Sequence, residues 1–269
     1  MKNTINFIFV LFIYACTSYA QDAAAPSKEQ QLAAQVANPI SSLISVPFQS
    51  NLYVGIGPLN GSRSITNFQP VVPMKLNENL NLITRMVLPI VSQQDLTGPN
   101  QSQTGLSDAL VSAFFSPSKV VNGTVWGVGP AVLVPTATDD FLGTKKWGVG
   151  PTIVLLKQAH GWTYALLANQ IWSVAGDKNR ADVNQLYVQP ILVYNWKSGA
   201  GVNMVAEYTQ NWETKTSNVV LTPTVNGITK LGTQLVQLAI GPLIPIVGPS
   251  KTRAEYGMRA SINFLFPKK

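Results

Sequence analysis

The chain has 269 residues, 46% of them hydrophobic and only 12% charged, yet no stretch approaches the roughly 20 consecutive apolar residues that a membrane-spanning helix needs. Its 19 lysines and arginines against 12 acids give a formal charge of +7. They are dispersed, with no basic stripe and no aromatics interleaved on a basic helix, which argues against nucleic-acid binding.

Residues 1–20 read as a secretory signal peptide. Lys2 supplies the positive start, the stretch from Phe7 to Ala15 carries no charge, and Ser18-Tyr19-Ala20 offers the cleavage position. The rival reading is lipidation at Cys16, although Ile13-Tyr14-Ala15-Cys16 places a bulky Tyr14 where a small residue is usual. Cleavage near Ala20 removes Lys2, leaving 19 − 1 = 18 basic residues against 12 acidic ones, or +6, and no cysteine. Packing and backbone pairing must then hold the mature chain without disulfides.

Residues 21–47 form a leader of different character. Ser27 followed by Gln30 resembles a capping box, and Leu32 and Val36 lie four apart, so SKEQQLAAQVA predicts a short helix ended by Pro39. It reads as a plug-like periplasmic segment, with a disordered spacer as the alternative.

From Phe48 to the end of the chain the pattern becomes alternation. Twelve segments of around ten residues carry it, near 48–57, 64–76, 80–91, 105–116, 124–135, 147–157, 162–174, 184–196, 201–212, 218–225, 232–245 and 255–266. Each has the length that crosses a bilayer when tilted. Met258, Ala260, Ile262, Phe264 and Phe266 share one parity, and Arg259, Ser261 and Asn263 the other. The same split separates Leu80, Leu82, Met86, Leu88 and Ile90 from Asn81 and Arg85. It also separates Val202, Met204, Ala206, Tyr208 and Trp212 from Asn203, Glu207, Thr209 and Asn211. A soluble sandwich would carry many charges on the wet face. Here that face is mostly Gly, Ser, Asn, Gln and Thr.

The expected fold class is therefore all-β: a transmembrane antiparallel up-and-down barrel of about 12 strands behind a short leader. Long links (LTGPNQSQTG, TATDDFLGTKK, GDKNRAD, VGPSKTR) alternate with short ones (NEN, KQAHG, KSGA), as outer-membrane barrels require. SPSKVVNG and NGITKLG are expected as longer inner turns. Tryptophans gather at strand ends, and Trp162 and Trp172, ten residues apart on one face, match the spacing of two interfacial girdles. WGVGPAVLVP and WGVGPTIVLL are read as adjacent antiparallel strands, which places Trp126 and Trp147 at opposite rims.

The stretches NPISSLISVPFQSN, LNENLNLITRMVLPIVSQ, GLSDALVSAFFSP, WGVGPAVLVPTATDDFLGTKKWGVGP, NQIWSVAGDKNRADVNQLYVQP and INFLFPKK resemble a family of bacterial outer-membrane transporters. That family is related to the MetA-pathway of phenol degradation proteins and is often mislabelled neuromedin U. The likeness runs from about Asn38 to the end. It implies a signal-bearing barrel that transports small compounds, aromatic ones included, with no catalytic residues to carry over. One departure stands out: Pro267-Lys268-Lys269 follow Phe266, where the barrel-insertion signal normally ends on the aromatic itself.

Enzymatic chemistry finds little support. The one histidine, His160, falls in the turn KQAHG, so a Ser-His pair has no obvious place to assemble, and no zinc spacing or G-x-G-x-x-G loop is present. No cofactor is expected. Function is expected in the lumen, where Arg85, Asp108, Glu207 and Arg259 should form a mixed-charge constriction with Gln185, Tyr187, Gln189 and Asn203 beside them. Asn81, Gln237, Ser261 and Asn263 share this face, and Ile83, Val87, Ile191 and Leu235 would make it tolerant of apolar solutes. The bland alternative is that these groups simply seal the interior. A lumen of twelve strands should be narrow or partly plugged. The expected partners are outer-membrane lipid and lipopolysaccharide, a small solute, and the barrel-assembly machinery during insertion. The expected location is the outer membrane of a Gram-negative bacterium. Eight strand prolines (Pro70, Pro73, Pro89, Pro130, Pro151, Pro190, Pro223 and Pro242) are the difficulty, since each removes a ladder donor.

Overall fold

A computed structural model describes residues 26–38, 43–250 and 252–266. The expected signal segment, Cys16, Pro39 and the terminal Pro267-Lys268-Lys269 lie outside the described residues.

The helix α1 (Lys28–Ala37) forms where expected. Ser27 Oγ accepts from the Gln30 amide at 3.0 Å, so the N-cap is made. The reciprocal half of the capping box is not made: the Gln30 side chain donates instead to the Asn195 carbonyl at 2.7 Å. Ser27 Oγ also donates to the Lys197 carbonyl, and Gln158 donates to the Ala34 carbonyl at 2.7 Å. These bonds seat α1 at one mouth of the barrel, where Ala33 becomes fully buried.

Strands follow in the order β1 (Ile44–Ile56), β2 (Gly61–Phe68), β3 (Val71–Lys75), β4 (Leu80–Gln94), β5 (Ser102–Leu106), β6 (Ala109–Pro117) and β7 (Thr124–Val134). After these come β8 (Lys146–Ala159), β9 (Trp162–Gly176), β10 (Asn184–Asn195), β11 (Ala200–Asn211), β12 (Thr216–Leu231), β13 (Gln234–Val247) and β14 (Tyr256–Phe266). They make a closed antiparallel barrel of twelve staves. Two staves are broken. β2 and β3 pair successive halves of β4, and so do β5 and β6 on its other side. Closure comes from β1 on β14, in register from Ile44↔Phe266 to Val54↔Tyr256.

Closure removes both sheet edges, so the strand ladders of the wall pair internally. The outward face is oily: Leu52, Ile90, Val128, Ile153, Met204, Ile240 and Met258 are all exposed. The longer connections gather at one end of the barrel and α1 sits at the other. The turn between β8 and β9 is the pair His160-Gly161, both with positive φ, which is the tight hairpin geometry that keeps these two strands adjacent. That turn lies at the α1 end.

Boundaries differ from expectation in places: β1 already begins at Ile44, within residues 21–47, and β12 runs well past residue 225. NGITKLG is not an inner turn: β12 continues through it, pairing Gly227↔Leu238 to Leu231↔Gln234. Asn226-Gly227 carries a local turn signal, but the ladder with β13 overrides it. The chain reverses only at Gly232, whose φ is +61°.

The prolines sit where ladders open. In an antiparallel pair a residue points its N–H and C=O toward one neighbour only. Pro130 and Pro151 face each other across β7 and β8, so their missing donors fall toward β6 and β9. There the registers skip from Ser112↔Ala131 to Phe115↔Val128, and from Val149↔Trp172 to Thr152↔Asn169. Pro190 coincides with a similar skip between β10 and β11, and Pro223 and Pro242 share one between β12 and β13. Pro70 occupies the break between β2 and β3, Pro73 lies opposite Ile83, and Pro89 accepts from Ser107 at the break between β5 and β6. The near-identical stretches WGVGPAVLVP and WGVGPTIVLL are explained as well. The Pro130↔Pro151 pair centres a local two-fold, placing Trp126 against Leu155 near the α1 end and Trp147 at the loop end.

Candidate functional site

Alternation delivers the inward side chains, and the barrel interior sorts them by chemistry. Val71, Ile83, Phe114, Val154 and Leu167 pack into a buried apolar cluster against the β3, β4, β6, β8 and β9 wall. Ile83, expected to line the passage, belongs to this cluster. The rest of the interior holds two adjoining chambers. The one at the loop end has a volume of about 720 Å³ and the one beside α1 about 240 Å³. Both are bounded by Gln49, Gln69, Arg85 and Gln189, which make a polar partition between them.

At the partition, Arg259 from β14 meets Glu207 from β11, Nη2 to Oε2 at 2.7 Å. Arg259 Nε donates to Asn51 Oδ1 at 2.7 Å, while Tyr187 Oη and Gln189 Nε2 both donate to Glu207 Oε1 at 3.2 Å. Arg85 donates to Gln69 Oε1 at 2.6 Å. Ionised groups are costly away from bulk water unless paired and hydrogen-bonded, and this network provides both for Arg259 and Glu207.

The eight residues expected at the site all border a chamber, but they do not form one ring. Arg85, Tyr187, Gln189, Glu207 and Arg259 cluster around the partition. Gln185 lines the larger chamber and Asn203 the smaller, joined there by Gln237, Ser261 and Asn263. Val87 borders the larger chamber and Ile191 the smaller, whereas Asn81 and Leu235 line neither.

Asp108 has a different task from the one expected. It meets no arginine. Its carboxylate accepts from Thr144 N and Thr144 Oγ1, each at 2.6 Å, and from Ala137 N at 3.3 Å. Asp108 stands in the break between β5 and β6, where the wall lacks its regular ladder, and the loop of residues 135–145 fills that gap. Thr138 Oγ1 accepts from Leu106 N, Thr136 Oγ1 accepts from Ala109 N, and the segment from Phe141 to Thr144 lines the larger chamber. TATDDFLGTKK is thus packed on the wall rather than free. Replacing Asp108 with alanine is expected to release this loop and speed tryptic cleavage after Lys145 by about tenfold, since three charge-assisted bonds are lost. Limited proteolysis of vesicle-embedded protein checks this.

At the loop-end rim Lys146 pairs with Asp182 at 2.9 Å and Lys145 with Asp140 at 2.6 Å. Hydrogen bonds from Lys146 and then Ser173 lower the Asp182 carboxyl below its ordinary range, and the Lys145 hydrogen bond does the same for Asp140. A depressed folded value means a contribution that is present above the unfolded value and lost as pH falls through the folded one. An NMR titration of Asp182 should therefore show a midpoint below the ~3.9 of an unperturbed aspartate, and Lys146→Ala should move it back upward.

Several lumen residues were not among those expected from the sequence. Gln49, Asn51 and Tyr53 on β1, Arg63 on β2 and Gln93 on β4 all border the larger chamber. Both faces of β2 are polar, with Ser62, Ser64 and Thr66 on its outward side, where Thr66 bonds Ser50 of β1 at 3.2 Å; the outward side of β1 is apolar apart from Ser50. The available signal was charge: Arg63 is the one charged residue between Phe48 and Met74. Outside, Trp162, Tyr164, Tyr194 and Trp196 form a ring cluster at the α1 end, with centroids 4.9 to 6.0 Å apart. Trp172 and Trp212 stand at the other end.

No family model matches the chain, and no curated protein matches it in sequence. Among solved structures, an outer membrane channel from Pseudomonas putida F1 is similar to it at 14% identity and a TM-score of 0.64, over 83% of this chain and 94% of that one. Outer membrane phospholipase A from Escherichia coli aligns at 11% identity and a TM-score of 0.48, over 90% and 99% of the two chains. A FadL homologue from Pseudomonas aeruginosa aligns at 8% and 0.38, over 83% and 89%. The first likeness establishes the shared barrel fold. The other two are too distant to carry an argument.

Proposed function

We propose that this protein is an outer-membrane barrel giving passive passage to small solutes, hydrophobic and aromatic ones included. The observation that carries the reading is the pair of adjoining chambers, one at the loop end and one beside α1, that share Gln49, Gln69, Arg85 and Gln189 as their common boundary. A partition of glutamines and arginines can move by rotamer changes, which are fast. Apolar residues such as Val87 and Ile191 beside it tolerate an oily solute. The belt of outward hydrophobics with aromatics at both ends supports a lipid setting, the signal-like first twenty residues support export, and the loop end then faces outward. The likeness in fold to a bacterial outer membrane channel is consistent with this. So are the blocks resembling transporters related to the MetA-pathway of phenol degradation proteins.

The folded protein is expected to resist SDS and to shift in gel mobility on boiling, and vesicles containing it should swell in small aromatic and uncharged solutes. Vesicles that stay impermeable with fully folded protein would overturn passage.

A second reading is a closed barrel with a binding or structural role. The seat of α1 across one mouth and the loop of residues 135–145 along the wall favour it. Single-channel recording separates the two, because a closed barrel stays silent.

A further inference from the structure

The inward charges do not balance. Glu207 is committed to Arg259, Asp182 to Lys146, and Asp108 to the loop of residues 135–145. Two inward arginines remain. Arg85 at the partition and Arg63 higher in the larger chamber each meet a glutamine oxygen, Gln69 at 2.6 Å and Gln93 at 2.9 Å. Among the described residues, no carboxylate comes within ion-pair distance of either guanidinium. A guanidinium presents five N–H donors in a planar fork whose geometry matches a carboxylate. One side-chain acceptor apiece leaves most of each fork uncommitted.

The walls around these forks are mixed. Ile65, Val87, Val91, Leu110 and Ile171 border the same chamber, whose volume of about 720 Å³ falls in the range usual for small-molecule sites. An apolar body with one anionic end would satisfy both kinds of wall. Cations would be repelled by Arg63 and Arg85, and a dianion would bring its second charge toward Glu207 at the same level.

We infer that the larger chamber holds a binding site for a small monocarboxylate with an apolar body, anchored on the Arg85 fork at the partition and drawn in past Arg63. The inference rests on the passage reading only where flux is concerned; the site itself needs no open lumen. It names a substrate class for the proposed passage, in which the carboxylate stays ionised and pairs with Arg85 while the ring or chain packs on the aliphatic wall.

The test uses the full-length mature protein in detergent and in vesicles, with benzoate, its neutral isostere benzamide, and benzylammonium as probes, at about pH 8 where benzoate is fully ionised. Titration calorimetry should show benzoate binding about tenfold or more tighter than benzamide, with benzylammonium weakest. Arg85→Gln should erase the benzoate advantage, bringing its affinity down to that of benzamide for the same variant, and Arg85→Lys should restore part of it. Equal binding of benzoate and benzamide by the wild-type protein overturns the inference, as does an undiminished benzoate preference in Arg85→Gln. If Arg85→Gln fails the heat-mobility test, Arg63→Gln and the wild-type ratio decide, with a preference unchanged in Arg63→Gln counting against the entry step. Vesicles impermeable to all three probes, with benzoate binding intact, would remove passage and leave the site standing.

Discussion

Replacing Glu207 with alanine should destabilise the barrel by about 3 to 5 kcal/mol, the usual cost of removing one partner from a buried ion pair. The Arg259 side chain is only 7% exposed and would keep Asn51 as its polar contact. Tyr187 and Gln189 would lose their common acceptor at the same time. Urea unfolding in lipid vesicles, followed by tryptophan fluorescence, reads the change. The double replacement Glu207→Leu with Arg259→Met should be far milder, because two apolar groups need no counter-charge. A loss below about 1 kcal/mol for Glu207→Ala would mean that water reaches the partition freely and that the pair behaves like an exposed one.

Gly150→Ala should be comparably severe, at about 3 kcal/mol, for a steric reason. A Cβ built at Gly150 overlaps the Gln170 carbonyl oxygen on β9, and the same holds for Gly129 with Ala113 and for Gly241 with Pro223. Each of these glycines precedes an outward proline at a ladder skip. The neighbouring strand crowds the glycine at that point, and backbone cannot step aside as a flexible side chain can. Gly227→Ala is the control: nothing lies within 4 Å of its built Cβ, so it should be neutral or slightly stabilising through the unfolded chain. The same unfolding assay compares them. Equal tolerance at Gly150 and Gly227 would mean that the skips have slack.

The prolines show how far a sequence reading reaches. Pro130 and Pro151 signalled that ladder donors were missing from the wall. Which neighbour lost them depended on how β7 and β8 paired, and the Pro130↔Pro151 register is a property of the assembled sheet. NGITKLG failed for a related reason, since a local turn signal was outvoted by pairing with β13. Arg63 was visible as an isolated charge, yet the serines and threonines around it left its face undecided until Thr66 was seen to bond Ser50 outside.

Alternation by itself determined the number of staves and the inward course of Arg85, Glu207, Tyr187 and Arg259, because the period of two is local and side chains obey it before any strand finds its partner. It also determined that the tryptophans mark the two rims. Only the tertiary structure decided which inward charges meet: Arg259 reaches Glu207 and Asn51, 52 and 208 positions away, because β14 closes on β1. Closure and stagger likewise assigned Asp108 to the loop and left Arg85, among the described residues, with no carboxylate at ion-pair distance. Distances across the lumen depend on how the whole circle is staggered, and no stretch of ten residues carries that information.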